Sequence, residues 1–243
     1  MKKRIIVTGA TSSISREIIK QFAANGYDFV LLGKDAEEMN KIVSDIKIRY
    51  NADSDVHEFD AGDINQHDVL FNKIRRKNKN VIGMIVAHGY ISEHDDIEAT
   101  NEEIDKIIDI NYKSIISLTK SFASNFPQKN NFIAVITSVA GERGKKRNLI
   151  YSSAKGATSI YLEGLRQELP DFSIIDIKPG FVDTPMTYGI LDSPLITSRV
   201  KVAKDIFNGI IKRKRVIYTP FYWRYVAFIL RHIPGKIYDR LRL

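Results

Sequence analysis

Tyr151 and Lys155 are the pair of residues that most constrains this chain. Four positions apart on a helix, they lie one turn apart on the same face. Ser138 stands upstream of them and follows the apolar run 132–136, which is short and β-rich and predicts a buried strand. A serine at a strand end beside a helical tyrosine and lysine suggests chemistry at a carbonyl group, because a nearby ammonium lowers the pKa of a phenol. Taken alone, the pair is weak evidence, because a Tyr and a Lys at this spacing are more often surface residues of an ordinary helix.

The length and composition are those of one soluble α/β domain. The chain has 243 residues, of which 44% are hydrophobic and 27% charged. It contains no Cys, which excludes disulfides and thiolate chemistry, and its five His residues show no metal-ligand spacing. No segment reaches the roughly 18 apolar residues of a membrane span. We therefore expect a cytoplasmic protein without a metal.

The net charge of +8 lies entirely in the C-terminal segment. Lys and Arg balance Asp and Glu over residues 1–211, whereas residues 212–243 hold nine basic residues and one acid, Asp239. This asymmetry predicts an acidic partner for the C-terminal segment.

Seven β-rich runs alternate with helical patterns, which predicts an α/β fold with a single Rossmann-type, doubly wound parallel sheet and helices on both faces. The first unit is a strand, a Thr8-Gly9 turn and a helix, the opening of a dinucleotide-binding βαβ unit. We expect residues 1–220 to form the dinucleotide-binding domain with the catalytic site. Residues 221–243 would be an amphipathic basic extension.

The order of five motifs resembles that of the short-chain dehydrogenase/reductase family over residues 3–220. These are Asn111, Ser138, Tyr151, Lys155 and Pro179-Gly180. The resemblance implies that Tyr151 gives a proton to a carbonyl oxygen, to which Ser138 donates a hydrogen bond. It further implies that Lys155 lowers the pKa of Tyr151 and holds the nicotinamide ribose. Asn111 would kink its helix and hold the water that links Lys155 to solvent.

The cofactor loop departs from the family pattern, Thr-Gly-xxx-Gly-x-Gly. Only Gly9 remains, and Ser13 and Ser15 replace the other two glycines. A Ser is small, and its hydroxyl and backbone N–H can still donate to a phosphate at a helix N-terminus. The loop residues that we expect to bind cofactor are Gly9, Thr11, Ser12, Ser13 and Ile14.

Cofactor choice is predicted from the end of the second strand. An acid at this position selects NAD in this fold, but here Gly33 is followed by Lys34, a cation that suits the 2′-phosphate of NADP, with help from Arg16 or Ser12. The alternative is that Lys34 merely begins a solvated helix. We expect NADP(H) to be preferred and NAD(H) to be possible. The resemblance makes Asp60 the candidate acceptor for the adenine amino group, ahead of Asp63.

The resemblance also implies a set of contacts around the nicotinamide and its ribose. They are Ala87, Gly89, Tyr151, Lys155, Pro179, Gly180, Val182 and Thr184. His88 stands where the family usually carries the middle residue of Asn-Ala-Gly, and we expect it to be structural. Residues 185–197 would form a substrate-covering loop. The Gly-rich basic loop 139–147 is either a plain exposed loop or a contact for a phosphate-bearing substrate.

A closer resemblance is to the decaprenylphosphoryl 2-keto-pentose reductases, which act with a separate flavin oxidase on a lipid-linked sugar in cell-wall arabinan synthesis. It rests on residues 11–14, 110–112, 140–143, 177–180, 224–226 and 231–234. It implies a ketosugar carried on a lipid phosphate as substrate, and a flavin oxidase as partner. The family is usually oligomeric, which implies a homo-oligomer.

Three alternatives remain open for the function: a reductase of a soluble ketone or acyl substrate, a non-catalytic nucleotide-binding protein, and a nucleic-acid binder. The last is disfavoured because no recognition motif is present and the basic residues of the extension are interleaved with bulky apolar ones. That pattern predicts peripheral contact with the inner face of the membrane. The alternative is that residues 221–231 pack on the core or on another subunit.

Overall fold

The fold was examined in a computed structural model that describes residues 2–92, 95–144, 146–184 and 195–241. A seven-stranded parallel sheet has the order β3-β2-β1-β4-β5-β6-β7. The strands are β1 (Arg4–Thr8), β2 (Asp28–Gly33), β3 (Ser54–Glu58), β4 (Val81–Val86), β5 (Phe132–Ile136), β6 (Ser173–Pro179) and β7 (Val216–Thr219). The helices are α1 (Ser13–Ala23), α2 (Ala36–Tyr50), α3 (His67–Lys77), α4 (Asn101–Ile108), α5 (Ser114–Asn125), α6 (Leu149–Glu168), α7 (Arg199–Ile211), α8 (Trp223–His232) and α9 (Gly235–Tyr238).

The predicted Rossmann-type sheet is confirmed. Strand order reverses between β1 and β4, and in an open α/β sheet ligands bind beyond the carboxyl ends of the strands at such a point. Successive side chains of a strand point to opposite faces. Ile5 and Val7 accordingly pack with α1, α2 and α7, whereas Ile6 packs with α3, α5 and α6. The third strand ends at Glu58, so Asp60 lies just beyond it.

Helices α4 and α5 are joined without a break by a π-helical turn, Asp109–Lys113. Such single turns are frequent at functional sites, and here the turn carries Asn111, which is fully buried. The Asn111 amide donates to the Ile107 carbonyl at 2.9 Å, so its side chain takes up a backbone acceptor of the disturbed helix.

The C-terminal helix α8 packs on the sheet domain with one face only. Trp223 and Ala227 are buried, as the core-packing alternative predicts for residues 221–231. The exposed face is also apolar: Tyr225, Phe228 and Ile229 of α8, and Phe221 just before it, are each more than half exposed. Among the described residues, no helix is long and apolar enough to cross a membrane.

Candidate active site

Gly9 follows β1 and marks the start of the site. Its φ of +63° is one that side-chain-bearing residues rarely adopt, and a Cβ there would lie 2.7 Å from the His88 backbone nitrogen. The chain after β1 and the chain after β4 therefore touch through backbone alone. This close approach explains why Gly9 is present although the other two family glycines are replaced.

The replacement of the third family glycine has a structural reason. Ser12 is the N-cap of α1, and its hydroxyl oxygen accepts from the Ser15 N–H at 3.2 Å while its O–H donates to the Ser15 hydroxyl at 2.8 Å. The two side chains thus cap the helix. The N–H groups of Ser13 and Ile14 in the first turn have no intrahelical acceptor and remain suited to a phosphate.

The adenine end of the site carries a Lys34–Asp60 ion pair at 2.8 Å, in which both side chains are more than half exposed. The hydrogen bond from Lys34 keeps the pKa of Asp60 below its ordinary value. A cleft of about 470 Å³ lies beside the pair and has Phe59, Val69 and Leu70 in its walls. The apolar side chains in its walls and the Asp60 carboxylate are groups that could hold an adenine ring.

Arg16, the second expected cation, is already engaged. Its guanidinium pairs with Glu38 at 2.7 Å and donates to the Thr11 carbonyl at 3.0 Å. Glu38 therefore competes with a 2′-phosphate for Arg16, and Lys34 is the less constrained cation at this end of the site.

Ser138, Tyr151 and Lys155 meet at the carboxyl end of β5. Ser138 begins a 3₁₀ turn, Val139–Glu142, and its side chain accepts from the Ala140 N–H at 3.0 Å and hydrogen-bonds with the Tyr151 side chain. Lys155 is 2% exposed, and its ammonium donates to the Ile136 carbonyl at 3.0 Å. That ammonium lies 5.6 Å from the centre of the Tyr151 ring. The predicted trio is thus one cluster.

The titration of this cluster differs from the expectation. Burial raises the pKa of Tyr151 to about 12; the hydrogen bond with Ser138 opposes this, and the Asp95 carboxylate adds to it. Burial likewise lowers the pKa of Lys155 to about 8, against the attraction of Asp176. The pKa of Tyr151 therefore lies above its ordinary value although the Lys155 ammonium is close to its ring, because burial is the largest effect on this group. Tyr151 is therefore a protonated donor at neutral pH.

Asp95 is a functional residue that the sequence analysis missed. It is 4% exposed and accepts from the backbone N–H of Ile150 at 2.7 Å and of Tyr151 at 3.1 Å. A carboxylate at a helix N-terminus pairs with otherwise unsatisfied N–H groups. Asp95 thus anchors the start of the catalytic helix, and nothing in the local sequence pattern distinguishes it from the acids beside it.

Asn111 and Gly89 lie beside the Lys155 side chain. The Asn111 amide donates to the Tyr90 carbonyl at 2.6 Å, and its oxygen accepts from the Tyr90 N–H at 3.2 Å. A Cβ on Gly89 would lie 3.1 Å from the Asn111 oxygen and 3.5 Å from the Lys155 ammonium. The chain that follows β4 is thereby fixed against the lysine. Because Ala87 and Gly89 are small, they leave room for a ribose beside the lysine.

The Pro179-Gly180 turn ends β6 and lies under the indole of Trp223. A Cβ on Gly180 would overlap the Trp223 ring, at 1.8 Å from its nitrogen, so only glycine fits there. Beyond the turn, Val182 bridges to Thr197. Thr184 is half-buried, and most of the expected substrate-covering loop, residues 185–194, lies outside the described residues.

The residues present fit a nicotinamide dinucleotide. A glycine turn, an open helix N-terminus, a partly apolar cleft and a tyrosine–lysine pair lie along one edge of the sheet. Among the described residues, no cluster of His, Asp and Glu could hold a metal ion.

Comparison with known proteins gives the same family. The family model "short chain dehydrogenase" matches residues 3–193. An uncharacterized oxidoreductase of Mycobacterium tuberculosis is 25% identical over 240 residues, covering 98% of this chain and 96% of that protein. Mouse dehydrogenase/reductase SDR family member 7B is 27% identical, covering 96% of this chain and 78% of its own length.

Solved structures share the fold. A short-chain dehydrogenase from Sphingobium yanoikuyae in complex with NADPH superposes with a TM-score of 0.83 at 20% identity, covering 93% of this chain and 92% of its own. The bulky-bulky ketone specific alcohol dehydrogenase from Comamonas testosteroni gives 0.81 at 18% identity, with 96% and 95% covered. With its sheet, its tyrosine–lysine helix and a family match over most of its length, this chain belongs to the short-chain dehydrogenases, which are NAD(P)-dependent oxidoreductases.

Proposed function

We propose that this enzyme reduces a ketone with NADPH, and that the ketone is a sugar carried on a lipid phosphate. The observation that carries the proposal is the Tyr151 hydroxyl, which is hydrogen-bonded with Ser138 and lies beside the buried Lys155 ammonium. When bound, the cofactor supplies hydride to the carbonyl carbon. Tyr151 gives its proton to the carbonyl oxygen as general acid, and Ser138 donates a hydrogen bond to that oxygen as its charge develops.

Lys155 and Asn111 complete the proposed catalytic set. The buried Lys155 ammonium holds the nicotinamide ribose and stabilises the tyrosinate left after proton transfer. Lys155 then gives a proton to the tyrosinate, and a water held by Asn111, which is fixed by Tyr90 and Ile107, returns a proton to Lys155. A non-catalytic nucleotide-binding protein would have no need of a buried lysine beside the tyrosine, which favours an enzyme.

NADP(H) is the proposed cofactor. Lys34 is the less constrained cation at the end of β2, and exchange of its Asp60 partner for a 2′-phosphate leaves Asp60 free to accept from adenine. Two related folds were solved with NADPH, those of Sphingobium yanoikuyae and of actinorhodin polyketide ketoreductase. The remaining cofactor contacts are those expected from the sequence: Gly9, Thr11, Ser12, Ser13, Ile14, Ala87, Gly89, Pro179, Gly180, Val182 and Thr184.

The lipid-linked ketosugar is favoured over a soluble ketone by what surrounds Tyr151. Lys146 and Arg147 are exposed just before the catalytic helix, where they can bind a substrate phosphate. The apolar face of α8, close to the same loop, supplies a surface for the lipid part. This substrate would belong to cell-envelope polysaccharide synthesis, with a flavin oxidase making the ketone.

The exposed face of α8 is proposed as a contact with the inner, anionic surface of a membrane, where the chain would lie as a peripheral homo-oligomer. Large apolar groups with basic residues at their borders suit the headgroup boundary. Among them are Phe221, Tyr225, Phe228 and Ile229, with Arg224, Lys236 and Arg240 also exposed. Anionic lipid attracts such a segment by about 1 kcal/mol per basic residue near the surface.

The test of substrate is NADPH oxidation with a polyprenyl-phosphate 2-ketopentose and, in parallel, with small ketones and ketoacyl thioesters. We expect the lipid-linked ketosugar to give the highest kcat/KM. A higher kcat/KM for any soluble ketone would replace the proposed substrate but keep the reductase. No NADPH oxidation with any carbonyl, together with tight NADPH binding, would point to the non-catalytic alternative.

The test of membrane contact is sedimentation with phosphatidylglycerol and with phosphatidylcholine vesicles. We expect binding to the anionic vesicles alone, weakened by high salt and abolished by the double change Phe221→Ser and Phe228→Ser. The matched control is Ile48→Ser, an equally exposed apolar residue on α2. The proposal fails if the wild type stays in the supernatant with anionic vesicles at low salt. If light scattering also shows that the wild type is a dimer and the double variant is a monomer, the apolar face is a contact between two copies of the chain.

A further inference from the structure

Glu142 is a buried carboxylate that lies four residues after Ser138 in the same 3₁₀ turn. Its side chain is only 2% exposed, and it accepts from the Lys178 ammonium at 2.8 Å and from the Tyr218 hydroxyl at 2.8 Å. Arg231 of α8 is its third partner. One carboxylate thus joins β6, β7 and α8 to the loop that carries the catalytic serine.

The neighbouring Arg143 strengthens the link to α8. Its guanidinium donates to the carbonyls of Leu230 and Ile233 at the end of that helix, where backbone acceptors lack intrahelical partners. It also stacks on the Tyr238 ring, 3.8 Å from the ring centre. Glu142 and Arg143, two consecutive residues of the loop that follows Ser138 (the serine loop), therefore both contact α8 and fix the loop and the helix to each other.

The other end of this network reaches the cofactor edge. Lys178, which pairs with Glu142, also pairs with Asp176 at 3.3 Å and immediately precedes the Pro179-Gly180 turn. The Asp176 carboxylate in turn accepts from the Thr137 hydroxyl, next to Ser138. A displacement of Glu142 would therefore reach both Ser138 and the Pro179-Gly180 turn.

We infer that Glu142 is a positioning residue, and that its ion pair with Arg231 makes α8 part of the catalytic unit by fixing the Ser138 hydroxyl at the carbonyl oxygen. This inference rests on the proposed role of Ser138. Without the Arg231 contact, Glu142 still pairs with Lys178 and Tyr218, so the fold survives. The loop that follows Ser138 then loses the ion pair that connects it to α8. A small displacement of a group that binds the transition state lowers kcat more than it weakens cofactor binding.

The experiment compares Arg231→Met with Arg215→Met in lipid-free buffer. Arg215 is an exposed arginine just before β7. The probe reaction is NADPH oxidation with 9,10-phenanthrenequinone, an activated diketone. We expect Arg231→Met and Glu142→Gln to lower kcat about tenfold, with the KM for NADPH within about twofold of wild type. Arg231→Lys should recover part of the loss, and Arg215→Met should show none.

A kcat for Arg231→Met equal to that of Arg215→Met would overturn the inference, and so would a change confined to the KM for NADPH. If the wild type reduces no carbonyl, the proposed function fails. Amide hydrogen exchange then tests, without any turnover, whether α8 restrains the serine loop. Peptides covering residues 138–144 should then exchange faster in Arg231→Met than in Arg215→Met. Equal exchange in the two variants would show that α8 does not restrain the serine loop.

Discussion

The Thr8 hydroxyl at the end of β1 donates to Nδ1 of His88, just after β4, at 2.8 Å. The direction follows from the other ring nitrogen, which lies 2.9 Å from the Ser114 oxygen. Ser114 gives its own proton to the Ile110 carbonyl at 2.7 Å, so Nε2 of His88 must be the donor to it. His88 is thus a neutral imidazole that ties two strands to the π-helical turn, in agreement with the structural role expected from the sequence.

His88 should make the fold sensitive to acid. Burial, with the nearby Lys155 ammonium, lowers its pKa from 6.5 to about 3. Between these values the unfolded chain binds a proton that the folded chain excludes, so stability falls as pH falls, by up to about 1.4 kcal/mol per pH unit. Urea unfolding at about pH 7 and about pH 5 should show this loss in the wild type and not in His88→Gln. The exposed His232→Gln serves as control; an equal loss in all three proteins would assign the acid sensitivity elsewhere.

Tyr151→Phe should reduce turnover by about 10²–10⁴ and leave NADPH affinity nearly unchanged, because only the proton donor is removed. The matched control is Tyr161→Phe on the same helix, whose hydroxyl contacts Thr119 and not the site. Turnover is measured by NADPH oxidation and affinity by calorimetry. Near-wild-type turnover in Tyr151→Phe would falsify the assignment of the acid.

Lys155→Met should abolish turnover and yet stabilise the fold. Burial has lowered the pKa of Lys155 from 10.5 to about 8, so the protonated lysine destabilises the folded state at neutral pH. The gain expected at about pH 7 is on the order of 2 kcal/mol. Between pH 8 and 10.5 the unfolded chain binds the extra proton, so wild-type stability should rise with pH in that window, whereas the variant should show no such rise. A lower melting temperature for Lys155→Met at neutral pH would contradict this account.

Lys34→Ala should weaken NADPH binding and leave NADH binding little changed, because only NADPH carries the 2′-phosphate. A surface charge pair of this kind is worth about 0.2–1 kcal/mol, and a phosphate contact about 1.5–3 kcal/mol, so we expect roughly a tenfold or greater loss for NADPH. Lys41→Ala, an exposed lysine on α2 paired with Glu37, is the control. Tighter binding of NADH than of NADPH by the wild type would overturn the preference.

The buried carboxylate Glu142 gives a further pH test. Burial acts to raise its pKa, but hydrogen bonds from Lys178, Tyr218 and Arg231 outweigh burial and hold the pKa below its ordinary value. The stability contributed by this group is therefore present above the unfolded-state pKa and is lost as pH falls through the folded-state pKa. Glu142→Gln should flatten the acid limb of the unfolding curve. An unchanged limb would show that the ion pairs do not stabilise the fold.

The sequence predicted those parts of the site that depend on local pattern. Strand ends and helix spacing are local, so Ser138, Tyr151 and Lys155 were expected to converge, and they do. Asp95 and Glu142 were missed because their partners lie 36 to 89 positions away and their own segments have no periodicity. The pKa of Tyr151 was expected to fall because the spacing places a lysine near it. Burial raises this pKa instead, and spacing does not show how little water reaches either group.

The packing of Trp223 on Gly180 gives the enzyme a built-in optical probe. Trp223 is the single tryptophan in the sequence, and its ring covers the turn that is expected to face the nicotinamide. Tryptophan fluorescence therefore comes from one site, at the contact between α8 and the cofactor edge. Quenching by reduced cofactor would report occupancy there, and a red shift of the emission would report that the helix has lifted away, both without any label.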